Sequence, residues 1–337
     1  MTSRENTTLL FYPRHNSSLR LLALWYFAGL LILWNILGHT VLGFEQAWAH
    51  PLIGVGSALF FQILLDWVDA QSNHRKPRFL SGWRAWADFV PPAVITGLAC
   101  TMLLYPGERI WPFIFATAVS IGSKVLFRAP VGNSRTQHFY NPSNLGVTLT
   151  LLLFPWVGFA PPYHFTRNLT GEWNWVVPFI ILLSGIVIHS RFTGRLPLCL
   201  AWIGGFVIQG LFRSWLYGNP WYVPLVPMTS AAFIVFTLYM IPDPATTPLN
   251  PKRQLLFGLA VAFIYGTLQI LHMVFGLFIA LALVCTLRGL GLYLSAILSV
   301  WPRTAPVANT PAESQRRNDR ILDHSGLTHT DLTFRRK

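Results

Sequence analysis

Long apolar windows alternate with short polar segments along most of the chain. Ten windows predict transmembrane helices, at 20–38, 51–68, 89–105, 110–127, 145–160, 174–190, 196–212, 221–240, 254–270 and 274–298. The predicted fold class is therefore all-α, a polytopic membrane protein of about ten helices. A polar segment at 1–19 precedes the helical domain 20–298, and an aperiodic polar tail at 303–337 follows it, expected to be disordered. Residues 1–19 hold no apolar core, so no cleavable signal peptide is expected.

Charge orients these spans. With the N-terminus cytoplasmic, 21 of the 25 Lys and Arg residues fall in cytoplasmic segments, and Arg109, Arg167 and Arg213 fall outside. That bias predicts a multi-pass protein of the bacterial cytoplasmic membrane with both termini inside. Arg288 lies within the last span, where it must reach an interface or a buried acceptor. Net charge is +13 and mean hydropathy +0.46 over 337 residues. No nucleic-acid partner is expected, because the basic residues punctuate hydrophobic spans and form no patch on a soluble face.

Two polar knots stand against this apolar background. The first is His138-Phe139-Tyr140-Asn141-Pro142-Ser143-Asn144-Leu145-Gly146, and the second runs from Ile241 to Arg253 with four prolines. A polar group deprived of water in lipid costs several kcal/mol, so irregular backbone there must face protein, a cavity or a ligand. Pro91-Pro92 at the start of span three and Pro224 and Pro227 at the start of span eight predict late-starting or broken helices. Their matching places suggest two inverted five-helix halves, 20–165 and 174–298, whose broken helices meet around a ligand or pathway.

Cys100, Cys199 and Cys285 sit in separate spans without ligand spacing, so they read as packing residues and no metal site is expected. No GxSxG, HExxH or Walker pattern occurs, and no independent catalytic residue is assigned. His189 and His272, at span ends, read as interfacial anchors or proton-handling groups.

Further signs follow in order: Asp88 through Thr96-Gly97, then Lys124, then Phe139-Tyr140-Asn141-Pro142-Ser143-Asn144 with Phe154-Pro155, then Thr229-Ser230, Tyr239 through Pro248, and Gly258. Their order resembles that of the RnfD/NqrB family of membrane proteins, which belong to the Rnf-type electron transport complex and the sodium-translocating NADH:quinone reductase. The chain looks most like a divergent branch, the membrane proteins of enediyne biosynthesis, with Ala160-Pro161-Pro162-Tyr163-His164-Phe165-Thr166 in support. The resemblance implies a flavin-linked electron-transfer subunit working with other redox subunits. In the parent family FMN is esterified to threonine in a Ser-Gly-Ala-Thr-like sequence. None occurs here, so no attachment residue is assigned and covalent FMN is not expected.

The candidate ligand-binding residues are Thr96, Lys124, Asn141, Ser143, Asn144, Thr229, Ser230 and Asp243, for riboflavin, FMN or a quinone held noncovalently. Plainer roles stand beside this one. Asn141 and Asn144 serve equally as helix caps, Lys124 as a snorkelling cation, and Asp243 as a cap or a partner of Lys252 or Arg253. Two further functions fit the same scaffold: a small-solute or ion transporter without redox activity, and a membrane anchor for biosynthetic enzymes.

Overall fold

The computed structural model describes residues 17–131, 135–161 and 163–300. Most of its helices overlap the apolar windows, with departures at spans three, five and eight. They are α1 (Ser17–Leu37), α2 (Ala49–Ser72), α3 (Trp83–Phe89), α4 (Pro91–Leu103), α5 (Trp111–Leu126), α6 (Pro142–Leu153), α7 (Trp173–Val187), α8 (Leu196–Tyr217), α9 (Ala231–Val235), α10 (Pro251–Ile270) and α11 (Gly276–Val300). The chain is a helical, multi-pass membrane protein. Among the described residues seven helices are long and apolar enough to cross a bilayer, or eight if one bent pair counts as a span. Large apolar side chains such as Leu52, Ile208 and Phe263 lie on outer faces, as lipid contact requires.

Spans four and five are shorter than the apolar windows suggest. Helix α5 has 16 residues and α6 has 12, about 24 and 18 Å at 1.5 Å per residue. Helix α6 stops at Leu153 because Phe154 precedes a proline and leaves the helical region, with φ −122° and ψ 85°. The chain then turns into strand β4 (Gly158–Phe159), which pairs antiparallel with β1 (Leu104–Tyr105). A second pair, β2 (Arg128–Val131) with β3 (Arg135–His138), runs in the register Arg128↔His138 between α5 and α6. Neither pair follows from the all-α reading, since strands of two to four residues carry no periodic signal.

The prolines act differently at their two sites. In span three only Val90 interrupts the helix, and its N–H still donates to the Trp86 carbonyl at 3.1 Å, so α3 and α4 continue one another. In span eight Pro224 and Pro227 hold a 3₁₀ segment, Val223–Thr229, and Ser230 is extended. The axis bends by 74° there. Three helices also end in π turns: Gly38–Leu42 after α1, Ile188–Thr193 after α7 and Phe236–Met240 after α9.

Helix α10 lies along α8, and α2 packs on α4 and α5. Small residues set these approaches, as lipid offers no hydrophobic drive for association. A Cβ on Gly258 would sit 2.6 Å from the Leu198 carbonyl oxygen and 2.8 Å from the Trp202 nitrogen. The main core surrounds Trp202, fully buried, whose Nε1 donates to Thr237 Oγ1 at 2.9 Å, with Phe206, Phe233, Phe236 and Tyr265 around it. Residues 1–293 form one compact unit. Of the second, 294–337, only the helical residues to Val300 are described. Segment 1–16, with Arg4 and Arg14, and the tail 303–337 lie outside the described residues.

After α6 the loop folds back so that His164, 3% exposed, stacks on Phe44 at 3.5 Å between ring centroids. Burial, aided by the nearby His39, pushes its imidazole down to about 4 from the ordinary 6.5. Between those values the unfolded chain binds the proton and the folded chain does not. Stability is therefore full above about pH 6.5 and falls as pH drops toward about 4. The thermal midpoint in detergent should decline across that interval, and His164→Phe, which keeps a ring on Phe44, should flatten the decline.

Candidate functional site

The first knot is organised by Asn141. It N-caps α6 with extended backbone, ψ 121°, and its Oδ1 accepts from the Asn144 N–H at 3.1 Å and from Ser143 Oγ at 3.0 Å. Pro142 follows at the first helical position, where a missing N–H costs nothing. Asn141 Nδ2 is left to reach outward, and it donates to the Met240 carbonyl at 2.7 Å. Asn144 Nδ2 donates to the Phe278 carbonyl at 3.0 Å, while its buried Oδ1 has no partner.

The second knot closes on Asp243. Its carboxylate accepts from the Ala245 N–H at 3.0 Å and from Thr246 Oγ1 at 3.0 Å, and its carbonyl accepts from Thr247 Oγ1 at 2.6 Å. Asp243 therefore shapes its own turn, and no ion pair joins it to Lys252 or Arg253 among the described residues. Arg195, 2% exposed, fastens this turn from the start of α8. It donates to Thr247 Oγ1 at 2.8 Å, the Pro244 carbonyl at 3.1 Å and the Thr247 carbonyl at 3.4 Å. Charge counting treats Arg195 as one more cytoplasmic cation. Its unusual place, one residue before an apolar helix with proline at its second position, is the only sequence signal that sets it apart.

The two knots meet. Besides Asn141 to Met240, the Gln137 side-chain amide donates to the Ala245 carbonyl. Lys124, at the end of α5, lies 3.4 Å from Thr96 Oγ1 and 3.5 Å from the Pro92 carbonyl, and its charge feels Asp243. Helix α11 forms the far wall. Tyr140 Oη and Thr286 Oγ1 are 2.7 Å apart, and Arg288 Nη1 is buried without a hydrogen-bond partner, within electrostatic reach of Asp243.

Six candidates thus gather at one end of the bundle: Thr96, Lys124, Asn141, Ser143, Asn144 and Asp243. Thr229 and Ser230 do not join them. Ser230 caps α9, accepting from the Phe233 N–H at 3.2 Å, and Thr229 Oγ1 donates to the Val226 carbonyl at 2.8 Å. Ten residues of helix separate Ser230 from Met240, about 15 Å. His189 is likewise no interfacial anchor. It is 2% exposed and bridges the Leu238 carbonyl at 2.6 Å and Thr193 Oγ1 at 2.7 Å.

Chemically, the junction sets the cations Lys124, Arg195 and Arg288 against the single carboxylate of Asp243, and one guanidinium nitrogen, Arg288 Nη1, is left without a partner. It suits a ligand with mixed hydrogen-bonding edges and partial negative charge. Among the described residues no group of three or more His, Cys, Asp or Glu side chains is arranged to hold a metal. No protein-family model matches this chain, and no curated protein matches it.

Proposed function

We propose that the chain is an integral-membrane electron-transfer subunit that holds a flavin or quinone noncovalently where its two knots meet, and acts with redox partners. The observation that carries this reading is the stranded Arg288 Nη1 donor, buried within electrostatic reach of Asp243 where the two knots meet. Native proteins leave few buried polar atoms unpaired, and a bound group is one way such an atom is satisfied. A flavin would bring one- and two-electron chemistry. The chain's part is to hold it: Arg288 and Lys124, both within electrostatic reach of Asp243, would face ring oxygens and favour negative charge there.

The finer topology belongs to the same proposal: ten spans, counting α5 and α6, in the bacterial cytoplasmic membrane with both termini inside. Two inverted halves are supported by their openings. Helices α1 and α7 each end in a π turn containing a histidine, His39 or His189, and closed by a left-handed glycine, Gly43 at φ 84° or Gly194 at φ 64°. The next helices, α2 and α8, then pack on α5 and α10, the fourth span of each half.

The absorption spectrum of the detergent-purified chain tests the redox reading, followed by acid extraction and mass analysis. Flavin bands, lost from the protein after acid, are expected. A quinone would appear only in the extract. A pure, monodisperse protein with neither overturns the reading. The 74° bend in span eight then favours the alternative, a transporter with a discontinuous helix, checked by reductant-independent solute flux into proteoliposomes.

A further inference from the structure

The end of the bundle that carries the two knots is strongly basic. From residue 109 to residue 300 the chain has two carboxylate side chains, Glu172 and Asp243. Helix α7 separates Glu172, at its start, from Arg191, and the Asp243 carboxylate is bonded within its own turn and already faced by Lys124 and Arg288. Arg128, Arg191, Lys252 and Arg253 are all exposed, and none of the four pairs with a carboxylate among the described residues. The connection between α2 and α3 is different. There Asp66, Asp69 and Asp88 offset most of the charge of Arg75, Lys76, Arg78 and Arg84, and Arg75 pairs with both Asp66 and Asp69.

The neighbours of the four cations set their level in the bilayer. Exposed Leu126 lies just before Arg128, exposed Val187 four residues before Arg191, and exposed Leu255 and Leu256 just after Lys252 and Arg253. A cation within a turn of a lipid-facing side chain can lay its stem along hydrocarbon and hold its charge among headgroups. Two of these groups are joined directly. Gln254 Nε2 donates to the Gly194 carbonyl at 3.2 Å, which ties the start of α10 to the turn that holds Arg191. On the other flank Tyr293 Oη donates to the Arg128 carbonyl and the Gln137 amide to the Ala245 carbonyl.

We infer that this end of the bundle binds anionic phospholipid headgroups, with Arg191, Lys252 and Arg253 making the main contacts where α8 and α10 begin. Each basic side chain at a bilayer surface adds to the attraction for anionic lipid, and here no exposed carboxylate offsets it. An acidic protein partner would need cations standing clear of the hydrocarbon, whereas these adjoin lipid-facing leucine and valine.

Thermal unfolding of the full chain, delipidated in an uncharged detergent, tests this with phosphatidylglycerol as the probe and phosphatidylcholine of the same acyl chains as the reference. A saturable rise in midpoint is expected with phosphatidylglycerol, well above that with phosphatidylcholine. The combined substitution Arg191→Gln, Lys252→Gln and Arg253→Gln, all at exposed positions, should raise the half-saturating mole fraction of phosphatidylglycerol about tenfold or more. Lys76→Gln with Arg84→Gln should leave it unchanged, and so should the charge-keeping exchange Lys252→Arg with Arg253→Lys. Equal rises with the two lipids would mean acyl-chain contact alone. An equal rise with glycerol phosphate at the same ionic strength would mean a site for free anions, and one with polyglutamate a surface for acidic macromolecules. Any of these results, an unchanged response in the triple variant, or an equal loss in the Lys76 and Arg84 variant overturns the inference.

Discussion

Arg195→Ala is expected to destabilise the protein by about 3 kcal/mol or more, while Arg191→Ala, four residues earlier, changes stability by less than about 0.5 kcal/mol. Both arginines sit in the same short connection and count equally in the charge bias that orients the helices. Their surroundings differ. Arg191 is exposed, whereas Arg195 is buried and donates to Thr247 and to the Pro244 carbonyl. The turn it fastens lacks regular backbone pairing, since four prolines in 241–253 remove donors. Alanine would strand those acceptors and open a cavity in which water is scarce. Arg195→Lys should recover only part of the loss, because an ammonium cannot span acceptors set around a planar guanidinium. Chemical unfolding in mixed micelles measures the difference directly. A loss for Arg195→Ala no larger than that for Arg191→Ala would refute the clamp.

Gly258→Ala should cost a similar amount, about 3 kcal/mol, although alanine favours a helix by about 1 kcal/mol over glycine. The added carbon meets the Leu198 carbonyl oxygen and Trp202 nitrogen, which belong to the backbone of α8 and cannot rotate away. Helices α8 and α10 would have to separate along their shared face, disturbing the packing around Trp202. Gly204→Ala is the matched control. It lies on the facing helix α8 with nothing within 4 Å of its added carbon, so propensity alone acts and stability holds or rises. Equal effects at the two glycines would show that the close approach is not what Gly258 provides.

The candidate site was partly legible before folding. Proline and asparagine at a polar break in an apolar run mark irregular backbone, and Asn141 and Asp243 do organise the two turns that meet. Thr229 and Ser230 shared that signature, yet Ser230 ends up capping a helix about 15 Å away and Thr229 bonds back to the Val226 carbonyl, because a cap and a ligand contact use the same residue types. Arg195 and Arg288 gave little signal in return. Each becomes distinctive only through what surrounds it: acceptors for Arg195, and the absence of a partner for Arg288 Nη1.

By itself the sequence determined the solvent, the class of structure and the approximate helices, because hydropathy over about 20 residues is a local property that lipid enforces on every segment. Tertiary structure decided the rest. Pro91 and Pro92 leave the helix interrupted at one residue, Val90, whereas Pro224 and Pro227 precede a bend of 74° at Ser230, although both pairs read alike in the sequence. That Gln137 and Asn141 reach Ala245 and Met240, about a hundred residues on, depends on how the entry to α6 packs against the end of span eight and the turn after it. Hydrogen bonds over such separations leave no periodic trace in a single chain.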